Sequence, residues 1–230
     1  MLLAGGVIAN PAAAAGSRGS AKSYTLSKQG KAVLRWNPCQ VIHYRVNLRF
    51  APPGALQDVK TAVATVSKAS GITFAYDGTT TVIPMKTYGK NYTPGKAASP
   101  VVLAWASPGK GTGTSDLLTS QGDMPQADLA GVGYHQAYWW TDTKGRLHDW
   151  RIVTGAAVFN TAFNSLPAGF GSGEPTRGQL ILHELGHVMG LMHVDDESQV
   201  MFPRMGQEST FGAGDLAGLK KQGKPSGCIR

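Results

Sequence analysis

The chain has 230 residues, a formal net charge of +8, 42% hydrophobic residues and 16% charged residues. That apolar content buries a core and excludes a disordered chain, and no apolar run is long enough to cross a bilayer. The positive balance suits acidic surfaces such as cell-wall polymers or anionic lipids, or solubility alone, but there is no Lys/Arg run and no aromatic-basic interleaving of the kind that binds nucleic acid.

Residues 1–15 (MLLAGGVIANPAAAA) are apolar and small, and Ala13-Ala14-Ala15 fits a cleavage site, so they read as a signal or leader segment of a secreted protein. Residues 16–35 are polar, basic and Gly/Ser-rich and read as a flexible lead-in. One domain is expected over residues 36–230, with nothing that requires an oligomer, so a monomer is expected. Cys39 and Cys228 bracket that domain and read as one disulfide in an exported protein. Two free buried thiols, or a Cys39 thiolate blocking a metal, are the alternatives.

Val41 to Val46 alternates as a strand. Pro52-Pro53 opens a helix whose Leu56, Val59, Val63 and Val66 form one apolar stripe, and Gly71 stops it. Ile72 to Tyr76 is a second strand, and Val101 to Trp105 a third of continuous apolar character. Residues 107–131 form a long polar loop. Its Asp116, Asp123 and Asp128 are solvated carboxylates or a calcium site, though their spacing is not that of an EF-hand. Residues 131–140 and 152–159 are a fourth and fifth strand. A helix over 176–189 follows, and a short one starts near Gly214 with Asp215 as its N-cap. This order predicts an α+β fold, a twisted mixed five-stranded sheet with one helix backing it and another at the C-terminus. Trp36, Trp105 and Trp150 read as core residues. Tyr138-Trp139-Trp140 reads as core packing or as an aromatic binding surface.

His183-Glu184-Leu185-Gly186-His187 puts two imidazoles one helical turn apart, on a face from which both reach one ion. Zinc takes neutral imidazole nitrogens, and a catalytic site keeps one position open, over which Glu184 can hang. Gly190 lets the chain reverse, and His193 then completes a three-histidine set.

HELGHVMGLMH resembles the long zinc signature of the metzincin metalloproteases. Ser198 to Pro203 resembles their Met-turn, and the match is closest to the matrixin branch and its secreted bacterial relatives. The resemblance implies a metzincin-like catalytic domain with one catalytic zinc on His183, His187 and His193. Glu184 would serve as general base on the zinc-bound water, and Met201 would lie beneath the metal. Strand 131–140, with Gly133, Tyr134 and His135, would be the edge strand that pairs with a peptide substrate. Phe202 and Pro203 would begin the wall of the pocket for the residue after the cut bond. Structural zinc or calcium has only loose candidates, His135, His148 and Asp149.

The expected activity is that of a secreted zinc endopeptidase. Two rivals stand beside it: a zinc amidase acting on cell-wall peptides, and a non-catalytic, zinc-stabilised binding module. The intact Glu184 speaks against the second.

Overall fold

Local pattern explains the two long helices and the buried strands, and long-range pairing explains the rest. The computed structural model describes residues 18–93, 96–119, 126–141, 147–171, 173–206, 208 and 210–229, with residues 127, 140, 141 and 147–149 described by their backbone. The leader expected over residues 1–15 lies outside the described residues, as do Asp123 and the side chains of Trp140, His148 and Asp149.

In chain order the first strands are β1 (Thr25–Leu26), β2 (Lys28–Gln29), β3 (Ala32–Val33), β4 (Arg35–Trp36) and β5 (Ile42–Asn47). Helix α1 (Ala55–Ser70) leads to β6 (Phe74–Thr79), β7 (Val101–Pro108), β8 (Thr114–Ser115), β9 (Gly131–Thr141) and β10 (Leu147–Asn160). Helix α2 (Arg177–Val188), strand β11 (Leu191–Met192) and helix α3 (Ala213–Gln222) complete the chain.

Strands β5, β6, β7 and β10 are mutually parallel, in the order β10-β7-β5-β6. Strand β9 runs antiparallel along β10, from Leu147 opposite Thr141 to Phe159 opposite Gly131. These five strands are the mixed sheet that the sequence predicts. Two short additions, β4 beside β10 and β8 beside β7, enlarge it to seven. Strand β10 starts at Leu147 rather than Ile152, because pairing with β9 carries the strand through polar residues that have no apolar signal.

Residues 101–106 of β7 are all buried, as expected of a strand covered on both faces. Helix α1 buries Val59, Ala62, Val63 and Val66 in the core, and Gly71 ends it in the left-handed region, at φ 72°, with its N–H donating to Ser67 O. Helix α2 is buried almost all round, as a central helix must be when other elements cover it. Thr176 caps it by accepting the Gln179 N–H. Its first residue, Arg177, donates from Nε to Asp58 on α1 at 2.7 Å and from Nη2 to Pro53 O at 3.0 Å, which ties the start of the helix to α1.

The segment read as a flexible lead-in carries β1 to β4 instead. Thr25 and Leu26 pair with Met192 and Leu191, and Leu26 and Leu34 pack against the core. Those partners lie near the other end of the chain, so local composition carries no trace of them. Cys39 and Cys228 form a disulfide with Cα atoms 5.4 Å apart. Closing a loop over a separation of 189 residues stabilises the fold by about 5 kcal/mol in the chain-entropy account. Trp36 and Trp105 lie in the core, Trp150 is half-buried and Trp139 is exposed. Among the described residues, no helix is long and apolar enough to cross a membrane.

Candidate metal centre and active site

Helix α2 presents His183 and His187 from successive turns. Gly190 then reverses the chain at φ 92°, a conformation that a side chain would strain, and a Cβ there would stand 2.5 Å from Gln222 Nε2. Leu191 and Met192 lead back beneath the helix end and deliver His193. Its Nε2 lies 3.2 Å from that of His183 and 3.1 Å from that of His187.

These contacts are not ordinary hydrogen bonds. The Nδ1 of His183 is 2.7 Å from Val200 O, and that of His187 is 2.9 Å from Leu191 O. A carbonyl only accepts, so each Nδ1 carries the proton and each Nε2 presents a lone pair. The lone pairs of His183 and His187 thus point at one place together with His193 Nε2, the arrangement that a shared cation stabilises. Nitrogens bound to a tetrahedral zinc at about 2.0–2.1 Å stand about 3.3–3.4 Å apart, close to the separations found. Among the described residues, His183, His187 and His193 are the one group of three or more His, Cys, Asp or Glu residues arranged to hold a metal.

Burial keeps these rings neutral, the form that ligates. It pushes His183 down to about 4 against the Val200 hydrogen bond, and it pushes His187 down to about 3 with help from the neighbouring imidazoles. Burial also lowers His193.

Glu184 is 4% exposed. Its carboxylate lies against the backbone of Gly131, where a Cβ would stand 2.8 Å from Oε1. Strand β9 crosses the helix so closely that a Cβ on Gly133 would stand 2.1 Å from Glu184 O. Burial raises the Glu184 carboxyl to about 8, and a hydrogen bond from the Gly133 backbone opposes this. A dication beside it would favour the ionised form. The carboxyl therefore packs against the edge strand β9, on the helix that carries His183 and His187.

Met201 is buried with its Sδ against Gly186, where a Cβ would stand only 2.3 Å away, so its thioether forms the apolar underside of the helix turn between the two histidines. Asp215 holds this turn in place. Its carboxylate accepts the N–H groups of Val200 (2.6 Å), Met201 (3.3 Å) and Gly212 (3.0 Å). Burial pushes Asp215 up to about 6, against those three donors. Its expected place as N-cap belongs to Gly212, and Asp215 sits three residues further on, reaching back to the Gly212 N–H. Gln199 Oε1 accepts from Gly214 and Asp215, so the Met-turn and α3 are bonded in both directions. Composition gave no sign of Gln199, which stands in a polar run yet is 2% exposed.

The five residues expected to contact substrate divide. Gly133 lies on the β9 face toward α2. Tyr134 points to the opposite face, where its hydroxyl donates to Tyr88 O at 2.9 Å. Tyr138 does likewise, to Lys90 O at 2.6 Å. The His135 ring turns inward, with Nδ1 2.7 Å from His187 O and Nε2 3.1 Å from Ser27 Oγ. Phe202 and Pro203 are half-buried directly after Met201. Among the described strands, β9 pairs with β10 alone. Asp116 accepts the Lys86 N–H at 2.7 Å, and Asp128 is exposed. Asp196 accepts from Ser198 N and Oγ and from Gln199 Nε2, whereas its neighbour Asp195 is exposed.

Three converging imidazoles on a helix and its return turn, with a methionine beneath that helix, are arranged as in the zinc centre of the metzincin metalloproteases. The matrixin family model matches residues 124–221, the segment holding β9, β10, α2, the three histidines and nearly all of α3, and the chain is matrixin-like there. A search of curated protein sequences returned no match.

Proposed function

We propose that the chain is a secreted endopeptidase that hydrolyses peptide bonds at this centre, with Glu184 as general base. The observation that carries the proposal is the convergence of the three Nε2 atoms at the helix that carries the buried Glu184. When bound, zinc supplies Lewis acidity, which polarises a substrate carbonyl and acidifies water.

The chain's own groups supply the rest. The edge of β9 away from β10, which no described strand occupies, offers backbone donors and acceptors to an extended peptide and holds the scissile bond beside the histidines. Glu184 takes a proton from the attacking water and returns it to the leaving amine. The carbonyls of Val200 and Leu191 keep the imidazole tautomers fixed throughout. Export is supported by the leader-like residues 1–15 and the Cys39–Cys228 disulfide.

The substrate class is tested by mass spectrometry of products from two incubations, one with unfolded polypeptides and one with cell-wall peptide fragments. Internal cuts in the polypeptides are the expected result. Release of amide-linked wall peptides from polymer, with the polypeptides left whole, would replace the endopeptidase by an amidase. Hydrolysis of neither, by a chain holding zinc, would leave a binding module.

A further inference from the structure

The three metal-facing rings are not anchored alike. His183 and His187 each donate from Nδ1 to a backbone carbonyl, whereas His193 is exposed and, among the described residues, has only its Nε2 approach to the two neighbouring Nε2 atoms. A ligand without an outer partner of its own is placed by its backbone. The backbone before His193 is the Gly190 turn and β11, and both are held by a segment far away in sequence.

Ser27 lies at the centre of that hold. Its N–H donates to Gly190 O at 2.8 Å, and its carbonyl accepts the Leu34 N–H at 2.9 Å. Just before it, Leu26 and Thr25 pair with Leu191 and Met192. Gln222 Nε2 adds a second donor to Gly190 O at 3.1 Å. The Ser27 hydroxyl meets His135 Nε2 at 3.1 Å, and His135 Nδ1 meets His187 O at 2.7 Å. Since His187 O only accepts, His135 carries its proton on Nδ1, and Nε2 is left to accept from Ser27. The result is a continuous chain of bonds: His187 O, the His135 ring, the Ser27 hydroxyl, the Ser27 N–H and Gly190 O. It joins the end of α2, the edge strand β9 and the N-terminal strand at the turn that aims His193. The same pairing registers Leu191, whose carbonyl orients His187 Nδ1.

We propose that Ser27 and His135 are positioning residues for the metal centre, locking the N-terminal strand onto the Gly190 turn and so fixing where His193 stands. Neither side chain is among the three that face the metal position. This role rests on the zinc reading of the three histidines. It makes the segment around Ser27 part of the site, so that loosening it weakens metal binding without removing a ligand.

The test uses the full chain as wild type, Ser27→Ala, His135→Ala and His135→Gln. Zinc Kd is measured by competition with a chromogenic chelator, together with the visible spectrum of the cobalt-substituted protein and the unfolding midpoint of the metal-free chain. Ser27→Ala and His135→Ala are expected to raise the zinc Kd by roughly 10–100-fold, the usual size for an outer partner of a metal ligand. They are also expected to shift the cobalt bands. His135→Gln, whose amide can still donate to His187 O, is expected to recover part of the loss. A merely structural role would lower the unfolding midpoint yet leave the Kd of the folded chain within about twofold and the cobalt bands unmoved, and that result overturns the proposal. If His135→Ala does not fold, Ser27→Ala and His135→Gln decide by the same readings. A wild-type chain that takes up no zinc would overturn the metal reading itself, a result distinct from zinc binding that the variants leave unchanged.

Discussion

Glu184→Gln is expected to keep its zinc and lose its turnover. The amide matches the carboxylate in size, so the close packing against Gly131 and Gly133 survives, and none of the three Nε2 ligands is touched. What is lost is the group that takes and returns the proton, and kcat should fall by roughly 10²–10⁴-fold, the span of general acid–base contributions. Zinc content by atomic absorption, read beside kcat on an unfolded substrate, separates this loss from a loss of metal. Near-normal turnover in the variant would remove Glu184 from the chemistry. The metal-free proteins add a second signature. The folded carboxyl is raised from 4.5 to about 8, so its share of stability is present below about pH 4.5 and is lost as the pH rises toward 8. The stability of metal-free wild type relative to Glu184→Gln should therefore decline across that window. Denaturant unfolding of both at several pH values checks the sign.

Asp215→Ala is expected to produce the largest change in stability. It leaves the buried N–H groups of Val200, Met201 and Gly212 without their acceptor. An orphaned buried donor costs about 1–3 kcal/mol, so three together should cost about 3–5 kcal/mol once entering water recovers part of the loss. That is a large fraction of the about 5–15 kcal/mol that holds a typical domain together. The effect reaches the metal, because Val200 O orients His183 and the Val194 N–H bonds to Met201 O beside His193. Urea unfolding of the metal-free variant gives the stability loss, and a weaker zinc Kd gives the second effect. A loss below about 1 kcal/mol would mean that water replaces the carboxylate without strain.

Much of this site is local in the chain, and that is why it was legible. His183, Glu184 and His187 lie within one helical repeat, and Gly190 and His193 follow at fixed offsets, so a helix and the glycine turn after it are readable from consecutive residues. Helix α1 and the buried strand β7 were legible for a similar reason, since their apolar periodicity is written in consecutive residues.

The supports of the site were not legible, because they come from distant parts of the chain. Ser27 stands in a polar stretch that looks like a linker, and only its pairing with the Gly190 turn gives it a place in the fold. The sequence reads His135 only as part of the edge strand expected to pair with a peptide, which says nothing of its side chain. Strand alternation places it on the same face as Gly133, and its ring meets the end of α2 there. Tyr134, one residue earlier, faces the other way by the same rule. Asp215 was visible as a helix-start residue, but its bonds to the Met-turn depend on how α3 packs, which no local pattern records.

The most direct test of the account is hydrolysis of unfolded casein by the full chain, before and after removal of zinc by a chelator and again after zinc is restored. Cleavage that stops on removal and returns with zinc is the predicted result. Cleavage that continues in fully zinc-depleted protein would contradict it.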